Sequence, residues 1–283
     1  MPARCSPVRI ARVPIDPSLL LELALLGMTT GFLAGLLGIG GGMLMVPFIT
    51  FFLSHRDVAP DLAVKMAIAT SMATIIFTSV SSVRAHHRRG AVRWDIALAL
   101  APGIVLGSML GSLGVFKLLK GAWLAVFFSL FVGFSATQMF LNRKPTPNRQ
   151  MPGTAGKLAA GGAIGFLSGL VGAGGAFISV PFMTWCNVPM LNAVGTSAAL
   201  GFPIAAANVT GYIIAGQSLQ GLPAGSFGYI WLPALAVIAI GSVVTAPLGA
   251  RAAHALPVAR LKRIFASILY LLAAYMLYKG LAG

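Results

Sequence analysis

Eight stretches of the chain are apolar over roughly the length that a helix needs to cross a membrane, and short polar segments separate them. A helix spans the hydrocarbon core of a bilayer with about 20 residues. The eight stretches cover residues 19–53, 62–83, 94–116, 122–141, 157–186, 191–214, 228–250 and 261–281. The pattern therefore predicts an all-α polytopic membrane protein.

The first and fifth stretches share one interrupted pattern, an apolar run broken at its centre by glycines. Gly31 to Phe48 reads GFLAGLLGIGGGMLMVPF and Gly165 to Phe182 reads GFLSGLVGAGGAFISVPF, in register without a gap. A match of this length indicates a tandem duplication. Paired glycines interrupt a helix and let backbone or a ligand approach closely. Two such breaks at corresponding places in two halves are typical of a transport site.

The duplication predicts four parts of the chain: a basic tail over residues 1–18, a first membrane repeat over 19–141, a basic, proline-rich linker over 142–156 and a second membrane repeat over 157–283. The tail has no short apolar core followed by a small-residue cleavage site, so we expect the first span to be retained.

The direction of the repeats depends on whether the glycine segments cross the membrane. Full crossings make the two repeats parallel, whereas re-entrant, broken helices make them inverted. The division of Lys and Arg between the two faces does not decide between these arrangements. We favour the inverted one, because the first stretch is long for a single span and because it gathers three basic loops on one face.

Composition supports a membrane protein and excludes several functions. Of the 283 residues, 58% are hydrophobic and 9% are charged, and the mean hydropathy is +0.90. The net charge of +15 comes mainly from Lys and Arg between the apolar stretches, so we expect contacts with anionic lipids and no nucleic-acid partner. No nucleotide-binding motif occurs and no carboxylate lies at the centre of a stretch. ATP-driven transport and coupling through a buried acid are therefore disfavoured, and no cofactor is expected.

Candidate ligand groups cluster around the two glycine breaks. A broken helix exposes backbone N–H groups at its positive end, and nearby hydroxyls and amides can donate to an anion. We therefore expect a small anionic substrate between the repeats. The candidate contacts are Gly40, Gly41, Gly174, Gly175, Thr70, Ser71, Thr196, Ser197 and Asn208. The alternative is that the glycines only permit tight helix crossing and that the hydroxyls only join helices.

Other polar residues offer weaker candidates. His86 and His87 stand beside two arginines, but adjacent histidines do not share a helix face and no carboxylate or thiol lies at ligand spacing. We therefore expect a solvated loop and no metal site there. Lys65 is expected to extend to the membrane interface. An intramembrane enzyme using His86 or Cys186, an accessory subunit without transport and a homo-oligomer remain open.

The doubled GFLxGLxGxGGxxxxVPF motif, the RRGAVRW loop and the LPVARLKRIFASILYLL ending resemble the sulfite exporter TauE/SafE family of bacterial membrane proteins over roughly residues 20–281. The resemblance implies a multi-pass inner-membrane transporter with two homologous halves. It also implies sulfite, sulfonates or related small organic anions as substrates. The chain departs from the family pattern at Ala176, where the second motif reads GAGGA, and in its basic tail.

Overall fold

Ten helices and one two-stranded hairpin make up the part of the chain that the computed structural model describes, residues 16–37, 41–56, 58–141, 150–219, 222–253 and 258–282. Eight helices are long and apolar enough to cross a membrane. They confirm the prediction of an all-α polytopic membrane protein. These eight are α1 (Pro17–Leu37), α3 (Pro60–His87), α4 (Trp94–Leu118), α5 (Gly121–Phe140), α6 (Thr154–Val171), α8 (Met190–Gly216), α9 (Leu232–Ala252) and α10 (Val258–Ala282).

Two shorter helices follow the glycine motifs, α2 (Gly42–Ser54) and α7 (Ala176–Trp185). The first and fifth apolar stretches thus each contain one long and one short helix. Two features were not predicted: the π-helical segment Leu110–Val115 within α4, and the hairpin of β1 (Ser226–Phe227) and β2 (Ile230–Trp231) before α9.

Left-handed glycines form the breaks. Gly172 ends α6 with a φ of 73°, and Gly175 precedes α7 with a φ of 74°. Gly41, the counterpart of Gly175, precedes α2 with a φ of 73°. Glycine adopts this conformation without the steric cost that a Cβ would add. Residues 38–40 lie outside the described residues, and with them the predicted contact Gly40.

Helices α1 and α9 run parallel and in backbone contact. A Cβ added to Gly27 would meet the backbone of Ile238, and one added to Gly35 would meet the backbone of Ala246. Both residue numbers increase together along the contact, which gives the helices the same direction.

Helices α4 and α6 pack in the same way. A Cβ on Gly103 would meet the backbone of Leu158, and one on Gly111 would meet the backbone of Phe166. Gly103, Gly107 and Gly111 are spaced four residues apart and so share one face of α4, which allows this close contact.

The longest helices, α3 and α8, cross at the centre in opposite directions. Gly201 of α8 lies beside Ser79 of α3, whereas the earlier Gly195 lies beside Ala91, beyond the end of α3. Since α3 and α8 are corresponding helices of the two repeats, their opposite directions favour the inverted arrangement.

The direction of α3 also makes α2 a return segment. Thr70 Oγ1 accepts a hydrogen bond from Trp231 N, and Thr78 Oγ1 lies 2.7 Å from Ser242 Oγ. These contacts make α3 parallel to α9 and therefore to α1. The chain must come back between two parallel helices, and α2 brings it back.

Candidate functional site

A narrow crevice lies between the two repeats where α3 and α8 cross. Gly174, at the break between α6 and α7, lines it together with Ser197, so two of the predicted contacts meet there. The positive end of α7 begins directly after this position. The complete lining is Ala34, Ile75, Thr78, Ser79, Ser82, Gly174, Ser197, Ala198 and Gly201.

Three hydroxyls of α3 face the crevice, and they differ in their partners. Thr78 Oγ1 lies 2.7 Å from Ser242 Oγ, and Ser79 Oγ donates to Ile76 O at 3.0 Å. Ser82 Oγ is buried and has no hydrogen-bond partner within the described residues. Ser82 is therefore the α3 hydroxyl available to a ligand.

The serine pair Ser71 and Ser197 differs between the repeats because its neighbours differ. Ser197 Oγ lies 2.9 Å from Ser179 Oγ of α7. The first motif has Met45 at the position of Ser179. Without this partner, Ser71 Oγ donates to Ala67 O of its own helix.

The two glycine breaks contact each other and their neighbours. A Cβ on Gly42, directly after Gly41, would overlap Gly172 O. One on Gly175 would approach Ser168 Oγ to 3.0 Å. These glycines thus permit close packing, as the alternative reading expects, and they also keep the start of α7 at the centre of the molecule.

The threonine pair joins the two repeats. Thr70 Oγ1 accepts from Trp231 N at 3.0 Å, and Thr196 Oγ1 accepts from Arg93 N at 2.9 Å. The structure therefore brings both threonines to the starts of helices in the other repeat, and neither lines the crevice.

Asn208 uses its amide nitrogen locally. Nδ2 donates to Ile204 O at 2.9 Å, and Oδ1 lies against Gly169 in the space that a Cβ would fill. Within the described residues this buried Oδ1 accepts no hydrogen bond.

The expectation of a solvated loop at His86 is wrong. His86 belongs to the last turn of α3 and is 1% exposed, and its Nε2 lies 3.0 Å from Gly35 O. In the second repeat Tyr212 donates in the same way to Gly169 O. A carbonyl can only accept, so His86 donates through Nε2. The helix continues further than the polar sequence suggests because α1 supplies this acceptor.

Among the described residues, charged side chains lie near the ends of the helices and do not line the crevice. Lys65 Nζ lies 3.8 Å from Asp61 Oδ2 near the start of α3, and it is covered by the Tyr229 ring at 6.0 Å. Lys65 is therefore more buried than expected. Arg93 lies 2.7 Å from Asp95, and the hydrogen bond with this carboxylate raises the pKa of Arg93.

Within the described part of the chain, no group of three His, Cys, Asp or Glu side chains is placed to hold a metal ion. Sequence reasoning missed Ser79, Ser168 and Ser179. The alignment of the two motifs marks Ser168 and Ser179, since Ala34 and Met45 stand at their places in the first copy.

Comparison with known proteins gives one consistent result. The sequence profile described as sulfite exporter TauE/SafE matches residues 23–276. A probable membrane transporter protein of Haemophilus influenzae is 36% identical over 256 residues, which cover 90% of this chain and 97% of that protein.

More distant relatives cover the chain equally well. The probable membrane transporter protein YunE of Bacillus subtilis is 28% identical over 279 residues, covering 92% of this chain and 97% of that protein. A probable membrane transporter protein of Methanocaldococcus jannaschii is 26% identical over 265 residues, covering 90% and 94%. No solved structure matches significantly. With its eight apolar helices and its profile match over nearly the whole length, the chain belongs to the sulfite exporter TauE/SafE family and is a membrane transporter.

Proposed function

We propose that the chain is a secondary transporter that exports small anions such as sulfite, sulfonates or other sulfur-containing organic acids across a bacterial inner membrane. The crevice between α3 and α8 carries this proposal. It combines Gly174, at the start of a half-helix, with the unpaired hydroxyl of Ser82, and its lining contains no carboxylate. Backbone N–H groups and a hydroxyl can together hold a small oxyanion. The family description, sulfite exporter, supports sulfite as one such anion.

The substrate would lie between the repeats, and movement of one repeat against the other would open it to alternate sides. Ser197 and Gly174 line the crevice already. Thr70 and Thr196 accept backbone N–H bonds, so each would reach an anion only through its own O–H. The other proposed contacts are Gly40, Gly41, Gly175, Ser71 and Asn208.

An enzymatic function finds no comparable support. The residues that an intramembrane enzyme would use, His86 and Cys186, are both buried, and neither lines the crevice. We therefore infer transport and not catalysis.

Flux of labelled sulfite or of a labelled alkyl sulfonate through proteoliposomes tests the proposal. Ala198→Leu adds three carbon atoms to the crevice lining and fills space that the anion would occupy. We expect it to lower flux about tenfold, which corresponds to weakening anion binding by about 1.4 kcal/mol. Ala206→Leu, on the same helix but outside the crevice and partly exposed, is the matched control and should transport like the wild type. No wild-type flux of either anion, or undiminished flux in Ala198→Leu, would contradict the proposal.

A further inference from the structure

Four side-chain oxygens of the second repeat are buried without a hydrogen-bond partner within the described residues, and two of them, on Ser168 and Asn208, lie near its helix break. Ser168 is 2% exposed and Asn208 is 0% exposed. Within the described residues, neither Ser168 Oγ nor Asn208 Oδ1 has a partner. Burying a polar atom unpaired is costly, so atoms of this kind usually contact a ligand or an ordered water.

Both oxygens lie beside the end of α6. Asn208 Oδ1 fills the space beside Gly169 of α6 that a Cβ would occupy, and Ser168 Oγ lies 3.0 Å from the Cβ position of Gly175. Ile204, one turn before Asn208 on α8, also reaches the Cβ position of Gly175, at 2.5 Å. Ser168 and Gly169 are neighbours in the last turn of α6. Both oxygens therefore adjoin the last turn of α6, and Ser168 also adjoins the start of α7.

The amide oxygen of Asn208 lies at the negative end of α6. Asn208 Nδ2 donates a hydrogen bond to Ile204 O at 2.9 Å. Because a carbonyl oxygen can only accept, this bond fixes the orientation of the amide. Oδ1 is therefore the side-chain atom of Asn208 that has no partner within the described residues. The carbonyls of the last turn of a helix carry partial negative charge. An amide oxygen at the negative end of a helix attracts a cation.

The uncharged sequence between the first turn of α6 and the last turn of α9 restricts the kind of cation. Residues 158–250 contain no Asp, Glu, Lys, Arg or His. No side chain there can take up a proton near neutral pH, and divalent cations generally require carboxylates. Transporters with broken helices place Na⁺ at half-helix ends, among neutral oxygens. We propose that Ser168 Oγ and Asn208 Oδ1, at the carboxyl end of α6, form part of a Na⁺ site.

The site adjoins the crevice and is incomplete in the first repeat. That repeat has Ala34 and Ser82 at the positions of Ser168 and Asn208, so it lacks the hydroxyl of Ser168 and the amide oxygen of Asn208. Gly175, which Ser168 contacts, follows Gly174 of the crevice lining. An anion in the crevice meets no charged side chain in the lining described by the structure. A cation at the neighbouring site would balance the negative charge of that anion, and the attraction between the two ions is strong in a medium of low dielectric constant. This coupling role rests on the proposed function, whereas Na⁺ binding itself does not.

Binding of ²²Na⁺ to the purified full chain in detergent, without any anion present, tests the site. We expect saturable binding that unlabelled Na⁺ displaces and that choline does not, together with a higher melting temperature in NaCl than in choline chloride. Ser168→Ala and Asn208→Leu should each weaken binding about tenfold, because each removes one oxygen from a charged ligand. Thr210→Val, which removes an exposed hydroxyl from α8, is the control and should bind like the wild type.

Asn208→Asp separates loss of the Na⁺ site from loss of the fold. It keeps the oxygen and adds negative charge, so Na⁺ should bind at least as tightly as in the wild type. Absence of saturable binding by folded wild-type protein would mean that these oxygens hold only water. Binding that Ser168→Ala and Asn208→Leu leave unchanged would equally overturn the proposal. Intact Na⁺ binding without flux of sulfite or sulfonate would instead contradict the proposed function and support the Na⁺ site.

Discussion

Thr70 and Thr196 each connect the two repeats through a single hydrogen bond. Thr70 Oγ1 accepts from the backbone N–H of Trp231, directly before α9, and Thr196 Oγ1 accepts from that of Arg93, directly before α4. The N–H groups at the start of a helix have no intrahelical partner. Each threonine therefore satisfies such a donor in the opposite repeat.

Replacing Thr70 by Val tests this role with little change in shape. The Trp231 N–H would stay buried without its acceptor, which should lower the free energy of unfolding by about 1–3 kcal/mol. Thr70→Ser keeps the oxygen and should retain most of the stability. Thermal unfolding in detergent measures both. A purely ligand-binding threonine would instead raise the KM for the anion and leave the melting temperature unchanged.

Residue pairs of this kind can be predicted from the repeat only in part. The offset that aligns Thr70 with Thr196 also aligns His86 with Tyr212, and both donate to a motif carbonyl. Periodicity cannot find such pairs, because the acceptors Gly35 and Gly169 belong to helices more than 40 residues away. The sequence also cannot show which hydroxyl lacks a partner, since a serine can bond its own helix or another one.

At the scale of elements, glycines decide how closely the helices approach. Gly107 of α4 faces α6 so closely that a Cβ would overlap Gly162 O. Gly114 of the same helix has nothing within 4 Å of its Cβ position. Glycine is thus required for the helix contact at position 107, whereas position 114 has room for a larger side chain.

Alanine substitutions at these two glycines should have opposite effects. Gly107→Ala pushes α4 away from α6, so we expect a lower melting temperature and less monodisperse protein on gel filtration. Gly114→Ala meets no neighbour and lowers the chain entropy of the unfolded state, so the melting temperature should stay equal or rise. A melting temperature of Gly107→Ala equal to that of the wild type would contradict the contact between α4 and α6.

Hydropathy finds the helices but not their ends. It merges α1 with α2 and α6 with α7, because all four are apolar and only the glycines separate them. It misses the hairpin of β1 and β2, which follows an uncharged loop, and it gives no signal for the crevice. The crevice arises from the crossing of α3 and α8, and those helices meet through contacts distant in sequence.

At the scale of the whole molecule, the loops divide between two faces. One surface depression combines Arg93 and Asp95 with Lys157 and Asn187, which brings together the starts of α4 and α6 and the end of α7. The hairpin after α8 lies with the start of α3, since Thr70 contacts Trp231. Inverted repeats produce this division, whereas eight full crossings would put the loop after α8 on the same face as the linker.

Single cysteines distinguish these two arrangements in cells. In a chain with Cys5 and Cys186 replaced by Ser, a membrane-impermeant maleimide should label Gly153→Cys and Ser218→Cys from opposite sides. Gly153 has open space around its Cβ position and Ser218 lies in the exposed turn after α8, so both thiols are accessible. Arg89→Cys, in the loop after α3, is the reference and should share the side of Gly153→Cys in either arrangement. Labelling of all three positions from one side would mean that the glycine segments cross the membrane completely and that the repeats are parallel.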